Sequence, residues 1–492
     1  MNTVLTLVSW FLPLAVAFVA TPILIRNLGN ELYGLYTFSV SFLAYAFVSG
    51  LGRISSKYVP EFRAANSQPG VDRSVSATFY LTTIVGAAQA LLVAGIAAYL
   101  VRDVLFVSQQ FQTQTINSLY FAAAAGFVMM AGQVFFYALQ GVHRFGIFTL
   151  LTIINGLLIS IGNIVLTGGG FGITAMLAWN LAVVAITGTA AFYYSFSRFN
   201  IFRFTISIDR PLLREILRYG GSIFIYQALG CALILFERSL IVRKFGAQEL
   251  PHYVVPMMLA LYMHGALAAM LSVVFPYVNE LLNEPQRLSE VYLKASKGVT
   301  AVVFLCVCGF FTCGHYFLEL WLGRDFADAA YQIFIIHGIT YGLSAIALVV
   351  WHFAEALKVA ALNAACTIVW VVSSAPLMIA AAEYSGMKAV AFARLSGLLL
   401  TMPIIPFFEH RFMGGVKWKF WSEVLIKLVL ASVVMAAATL GILSILPFGW
   451  ATFIAAAFSG TVVFGATLLA VGFASADEKA ILRGAFGRFI KK

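Results

Sequence analysis

Charged, amide and aromatic side chains recur at helical spacing inside stretches otherwise made of Leu, Val, Ile, Ala and Phe. Gln133, Tyr137, Gln140 and Arg144 fall at i, i+4, i+7 and i+11, and Gln227, Cys231, Ile234 and Arg238 repeat that series with Glu237 beside it. His337, Tyr341 and Ser344 form a third stripe, and Asn363, Thr367, Trp370 and Ser374 a fourth. Arg394 shares a face with Gly397 and Thr401, and Arg53 closes a further apolar run. Guanidinium, amide and phenol groups recognise anionic and hydroxylated ligands. No nucleophile–base set, paired carboxylates or metal-ligand cluster accompanies them, and no G-x-x-x-x-G-K loop is present to cradle nucleotide phosphates. The chemistry on offer is binding, and no enzymatic activity is expected.

The candidate binding residues are therefore Arg238, Glu237, Arg394, Gln227, Arg53, Gln133, Tyr137, Gln140, His337, Tyr341 and Asn363. Each stripe has two readings: hydrogen bonding between packed helices, or the lining of a hydrated cavity. Glu237 and Arg238 are neighbours on one helix and point about 100° apart, so each needs its own partner or water. Snorkelling to the membrane surface is the simpler account for Glu237-Arg238. Arg394 lies about two turns inside its run, where snorkelling is harder. Arg53 also reads as an ordinary inner-surface cation.

The elements that carry these residues must be membrane helices. With 61% of 492 residues hydrophobic and 10% charged, most of the chain must have lipid as its solvent. About 20 apolar residues cross a bilayer as a helix. Fourteen such spans are expected, near 3–25, 35–51, 76–100, 115–139, 146–167, 172–195, 221–242, 252–275, 298–318, 330–354, 360–381, 387–408, 424–446 and 450–473. The first run, Val4 to Ile25, lacks a small-residue cleavage pattern and reads as a span rather than a leader. Of the 31 Lys and Arg, 22 fall on the segments that this count places inside, six on the outer breaks and three within spans. That bias predicts both termini in the cytoplasm. It also accounts for the net charge of +11 without nucleic acid as a partner. The five cysteines all sit in apolar runs and read as packing residues.

The two halves echo each other. Ile25-Arg26-Asn27-Leu28-Gly29 leading to Tyr36 matches Val242-Arg243-Lys244-Phe245-Gly246 leading to Tyr253 at one offset, and Gly172-Ile173-Thr174-Ala175 is echoed by Gly386-Met387-Lys388-Ala389. A duplicated unit with six spans per half predicts two parallel lobes with a substrate between them. The expected fold is all-α and polytopic, with an N-terminal six-helix lobe over 1–205, a second over 206–409, and two appended helices with a basic tail over 410–492. Between the lobes, Arg210 to Arg218 reads as an amphipathic helix on an anionic leaflet, capped by Asp209.

The opening segment, Thr21-Pro22-Ile23-Leu24-Ile25-Arg26-Asn27-Leu28-Gly29 leading into Tyr33-Gly34-Leu35-Tyr36, resembles the first two spans of bacterial polysaccharide transporters of the Wzx type. So does Leu320-Trp321-Leu322-Gly323-Arg324-Asp325-Phe326-Ala327. These transporters belong to the superfamily of multidrug MATE exporters and lipid II flippases. The resemblance implies two six-helix lobes around a cavity that opens alternately to either side. It also implies a flippase in the bacterial cytoplasmic membrane that moves undecaprenyl-diphosphate-linked oligosaccharide for O-antigen, capsule or exopolysaccharide assembly. The implied partners are that substrate, membrane lipids, and polysaccharide polymerase and export machinery. No cofactor is expected; H+ or Na+ is the candidate coupling ion. Two alternatives stand beside it: a MATE-like exporter of small cationic compounds, and a membrane glycan polymerase or glycosyltransferase. Drug exporters often rely on a carboxylate in span 1, and Val4 to Ile25 has none. The glycan enzymes are expected to show a large outer loop or a carboxylate-rich inner loop, and neither is present.

Overall fold

The computed structural model describes residues 2–48, 51–206, 210–359 and 361–474. Asp209 and the tail from 475 onward, to which the sequence assigned a cap and a basic cytoplasmic end, lie outside the described residues. The described residues are helical almost throughout and contain no strand, as an apolar slab demands, because a helix satisfies its own backbone groups where no water can. The helices are α1 (Asn2–Val48), α2 (Arg53–Ala64), α3 (Gln68–Tyr99), α4 (Gln109–Gly141), α5 (Phe145–Gly168), α6 (Ile173–Tyr193), α7 (Arg210–Phe245) and α8 (Leu250–Glu280). They continue with α9 (Pro285–Leu322), α10 (Arg324–Ala356), α11 (Ala361–Tyr384), α12 (Gly386–Leu399), α13 (Ile404–Phe412), α14 (Trp418–Ile445) and α15 (Trp450–Ala470).

The fold is that of an all-α polytopic membrane protein. Among the described residues, eleven helices are long and apolar enough to cross a bilayer. They cover the expected spans 3 to 6 and 8 to 14. The other three expected spans, 3–25, 35–51 and 221–242, fall within α1 and α7, and are not among the eleven. The span near 387–408 is divided: α12 ends at Leu399 and α13 begins at Ile404. Pro403 and Pro406 stand at that junction, where each removes a backbone donor.

The chain forms two compact units, Met1–Val254 with Asn363–Ala393, and Val255–Leu362 with Arg394–Lys492. In the first unit α4 is the hub, packed against α1, α2, α3 and α6. Its inner faces are small, with Ala122, Ala123, Ala125, Gly126 and Gly132 along one helix. Such residues let membrane helices approach closely. The peripheral helices turn Ile84, Leu91, Ile161 and Val165 outward, as lipid-facing surfaces should. In the second unit α9, 38 residues long, packs on α10, α14 and α15. Val424, Leu428, Ala431, Met435 and Phe464 bury against Phe304 and Leu305 of α9, and Cys308 donates to the Ser432 carbonyl.

Three helix junctions use the same glycine conformation. α1 is broken at Gly29 (φ 75°, ψ 166°), α7 gives way to a 3-10 turn at Gly246 (φ 91°, ψ 158°), and α9 meets α10 at Gly323 (φ 93°, ψ 165°). This region of backbone space is essentially closed to residues with a Cβ. Gly29 and Gly246, matched by the repeat in the sequence, thus turn the chain in the same way. The weaker pair does not: Gly172 is extended at φ −85°, whereas Gly386 has φ 78°.

Glu409 ties three elements of the second unit together. It is fully buried and accepts from Tyr292 Oη of α9 (3.2 Å), Trp421 Nε1 of α14 (2.7 Å) and the Lys417 amide (2.9 Å). Glu409→Ala would strand three buried donors, and each stranded group costs about 1–3 kcal/mol. We expect a clear fall in the thermal midpoint of the purified protein. Tyr292→Phe, which keeps the carboxylate and two of its donors, should cost about 1 kcal/mol. Gly246→Ala should destabilise by about 1–3 kcal/mol through backbone strain, read by the same melting measurement.

Candidate functional site

In the first unit the polar residues of α7 divide between two neighbours. Arg238 is 9% exposed, and its Nη1 donates to the Thr37 carbonyl of α1 at 3.0 Å and to Ser41 Oγ. The Ser41 hydroxyl itself donates to the Thr37 carbonyl at 2.8 Å, so the guanidinium closes a triangle of neutral groups. Glu237 is fully buried and accepts from the Tyr253 hydroxyl at the start of α8. Consecutive residues on a helix diverge by about 100°, which is why one reaches α1 and the other α8. Tyr36, the repeat partner of Tyr253, also binds a polar group within the bilayer: Asn163 Nδ2 of α5 donates to its oxygen at 2.8 Å. Gln227, three turns before Arg238, is half-buried, and its Oε1 is buried with no partner among the described residues.

The α4 stripe is used differently. Gln133 and Tyr137 are buried and close over Gly52, where a Cβ would come within 2.7 Å of both side chains. Gln133 Nε2 contacts Met130 Sδ at 3.1 Å, and the Tyr137 ring lies 6.3 Å from that of Phe148. Gln140 is half-buried and Arg53 exposed; the stripe does not gather them into the same pocket. Arg144 stacks on the Phe199 ring at 4.5 Å. Asn363, at the start of α11, is 1% exposed and belongs to the same unit.

The second unit holds its own polar cluster. Arg394 of α12 is 2% exposed, and its guanidinium lies over the Tyr341 ring of α10 at 5.4 Å. His337, one turn from Tyr341, is fully buried with its ring centroid 6.2 Å from the tyrosine. His264 of α8 meets Tyr341 edge-on at 6.1 Å, and its Nε2 lies 3.3 Å from Ser344 Oγ. The stripe His337, Tyr341, Ser344 thus assembles an arginine and two histidines on one helix face. Such groups are expensive in hydrocarbon unless they pair or meet water.

Sequence reasoning singled out the arginines but not the groups that hold them. Thr37 and Ser41 are i, i+4 in an expected span, a weak signal because serine and threonine often bond back to their own helix. Tyr253 had a stronger one, its match to Tyr36. Among the described residues no group of three or more His, Cys, Asp or Glu could hold a metal ion. The geometry presents buried guanidinium groups with neutral partners, suited to taking an anion.

Comparison with known proteins places these features. The profile of a family described as polysaccharide biosynthesis protein matches residues 1–282. No curated relative matches the sequence. Among solved structures, the inward closed form of the lipid II flippase MurJ superposes with a TM-score of 0.75 at 14% identity, covering 95% of this chain and 97% of that one. An inward-facing multidrug resistance MATE family transporter of the MOP superfamily gives 0.68 at 17% identity, over 83% of this chain and 98% of that one. A MOP superfamily transporter from Pyrococcus furiosus, described by the reverse polarity of its binding pocket, gives 0.64 at 16% identity, over 84% and 95%. A membrane fold shared with lipid II flippase and MATE transporters, together with a family match over more than half its length, makes this chain a member of the polysaccharide biosynthesis protein family.

Proposed function

We propose that this protein is a flippase for undecaprenyl-diphosphate-linked oligosaccharide, moving it from the inner to the outer leaflet of the bacterial cytoplasmic membrane for surface polysaccharide assembly. The observation that carries this reading is the burial of Arg238 and Arg394 within a transporter fold of a polysaccharide family. The substrate's head is anionic and hydrated and cannot enter hydrocarbon unaided. Arg238 is held by a carbonyl and a hydroxyl, so a phosphate oxygen that replaces them exchanges neutral hydrogen bonds for charge-assisted ones, which are roughly twice as strong. Arg394 leaves its site over Tyr341 for the same gain. Tyr137, Gln133, Gln140, Gln227, Tyr341 and Asn363 supply the amide and phenol groups that sugar hydroxyls require.

In this reading the duplicated lobes, 1–205 and 206–409, alternate access around the substrate, and both termini face the cytoplasm. Moving a negative charge out of an inside-negative cell is favoured by about 2.3 kcal/mol per charge per 100 mV. H+ or Na+ returns with the empty carrier so that the same charge is not carried back. Polymerase and export machinery take the sugar on the outer side. A MATE-like exporter of cations is the competing reading. The feature in its favour is Glu237, a buried carboxylate.

Deleting the gene and assigning the leaflet of the lipid-linked oligosaccharide tests the proposal. The intermediate should collect on the cytoplasmic side; its complete absence would indicate a synthetic role instead. Complementation with Arg238→Ala or Arg394→Ala should lower flipping about 10- to 100-fold at equal protein abundance, the loss expected for a charged hydrogen bond of 1.5–3 kcal/mol. Wild-type flipping by both variants would refute the role of the arginines. Drug efflux lost with Glu237→Gln, while Arg238→Ala leaves it intact, would assign the protein to the exporters.

A further inference from the structure

The first unit carries an aromatic groove that none of the proposed transport residues enters. A short extended segment, 200–206, follows α6 and is stitched along the first turns of α3. Gln68 Nε2 donates to the Ile201 carbonyl (3.0 Å), the Arg203 amide to Asp72 Oδ1 (2.8 Å) and the Thr205 amide to Ser76 Oγ (3.1 Å). Four helical residues rise about 6 Å and two extended residues about 6.6 Å, so contacts every four residues on α3 and every two on the strap keep step. The strap thereby adds the Phe204 ring to those of Phe79, Phe135 and Phe192, at centroid distances of 5.2, 6.5 and 6.1 Å.

Beside these rings runs a groove of about 560 Å³, walled by Phe79, Tyr80, Phe127 and Phe204. Its floor is the crossing of α4 and α6, where Gly132 and Gly188 meet without side chains; a Cβ on Gly132 would lie 3.5 Å from the Gly188 Cα. The lining is apolar along its length. Charge stands at one end only, that of the α3 N-terminus and the strap. Arg203, exposed, adjoins Phe204, and Arg73, also exposed, shares a face of α3 with Tyr80 seven residues on. The nearest acid, Asp72, accepts the strap amide and Gln68 Nε2 (2.9 Å).

We propose that this groove binds one acyl chain of an anionic phospholipid, with the phosphate of its headgroup on Arg203 and Arg73. An apolar channel with cations at a single end matches a lipid whose head stays in one leaflet. It does not match a carried substrate, whose head must leave that end. The bound lipid clamps the strap to α3, α4 and α6.

The test uses the full-length protein, reconstituted in nanodiscs of phosphatidylglycerol or phosphatidylcholine, then released and weighed by native mass spectrometry. The wild type should retain one phosphatidylglycerol and melt higher in that lipid. Arg203→Glu leaves the backbone bond to Asp72 in place, so the variant should keep its melting point in phosphatidylcholine while retaining at least fivefold less phosphatidylglycerol. Gly188→Leu fills the groove and should abolish retention of either lipid. If that variant does not fold, Arg203→Glu decides alone. Equal retention of the two lipids by the wild type, or no change with Arg203→Glu, overturns the proposal. Recovery of a polyprenyl diphosphate in place of phospholipid also overturns it and gives the groove to the transported molecule. Lipid retention is read without flipping, so failure here leaves the transport reading standing.

Discussion

The absence of water from the hydrocarbon layer governs the rest of this structure. Every backbone and side-chain polar group inside must find a partner in the protein, and a guanidinium has the most to lose. Arg238 meets that demand with a carbonyl and a hydroxyl of α1, and Arg394 lies on the face of Tyr341. Both solutions shelter the cation without a carboxylate among the contacts described. A charge stabilised in this way keeps its appetite for an anion. The same requirement shapes Tyr253 with Glu237 and Tyr36 with Asn163, where a phenol and its partner satisfy each other across helices.

Turn chemistry supplies the second constraint. Gly29, Gly246 and Gly323 share one backbone conformation that side chains exclude. Each joins two long helices with a reversal of only one or two residues. Because the position admits glycine alone, the turn could be found in the sequence as a glycine recurring after an apolar run. Its recurrence at Gly29 and Gly246 gives the duplication a physical basis beyond similarity of letters.

The fold was legible because a membrane helix announces itself by composition. The expected spans from α3 to α6 and from α8 to α15 fall on helices with ends displaced by a few residues. The larger shifts occur where helices outrun the membrane: α9 begins at Pro285, thirteen residues before its expected span, since an amphipathic extension carries no apolar signal. The division between α12 and α13 could have been read from Pro403 and Pro406. The site was legible only in part. Stripes such as His337, Tyr341 and Ser344 follow from helical spacing, and the structure gathers them. Their partners do not follow, because Ser41 meets Arg238 across 197 residues of chain, and Glu409 meets Tyr292 across 117. Spacing within a helix is a local property, whereas the choice of neighbouring helix is settled by packing.

The length of α9 has a mechanical consequence. At 38 residues it is about 57 Å long at 1.5 Å per residue, nearly twice the roughly 30 Å of hydrocarbon it must cross. The excess emerges at the Pro285 end, where Arg287, Lys294 and Lys297 sit on successive turns. Within the slab the same rod bears α10, α14 and α15. A stiff member fixed to three others and protruding into water works as a tiller: any tilt of the submerged bundle sweeps its free tip through a larger arc. Whatever grips that tip from the aqueous phase gains leverage over helices it never touches.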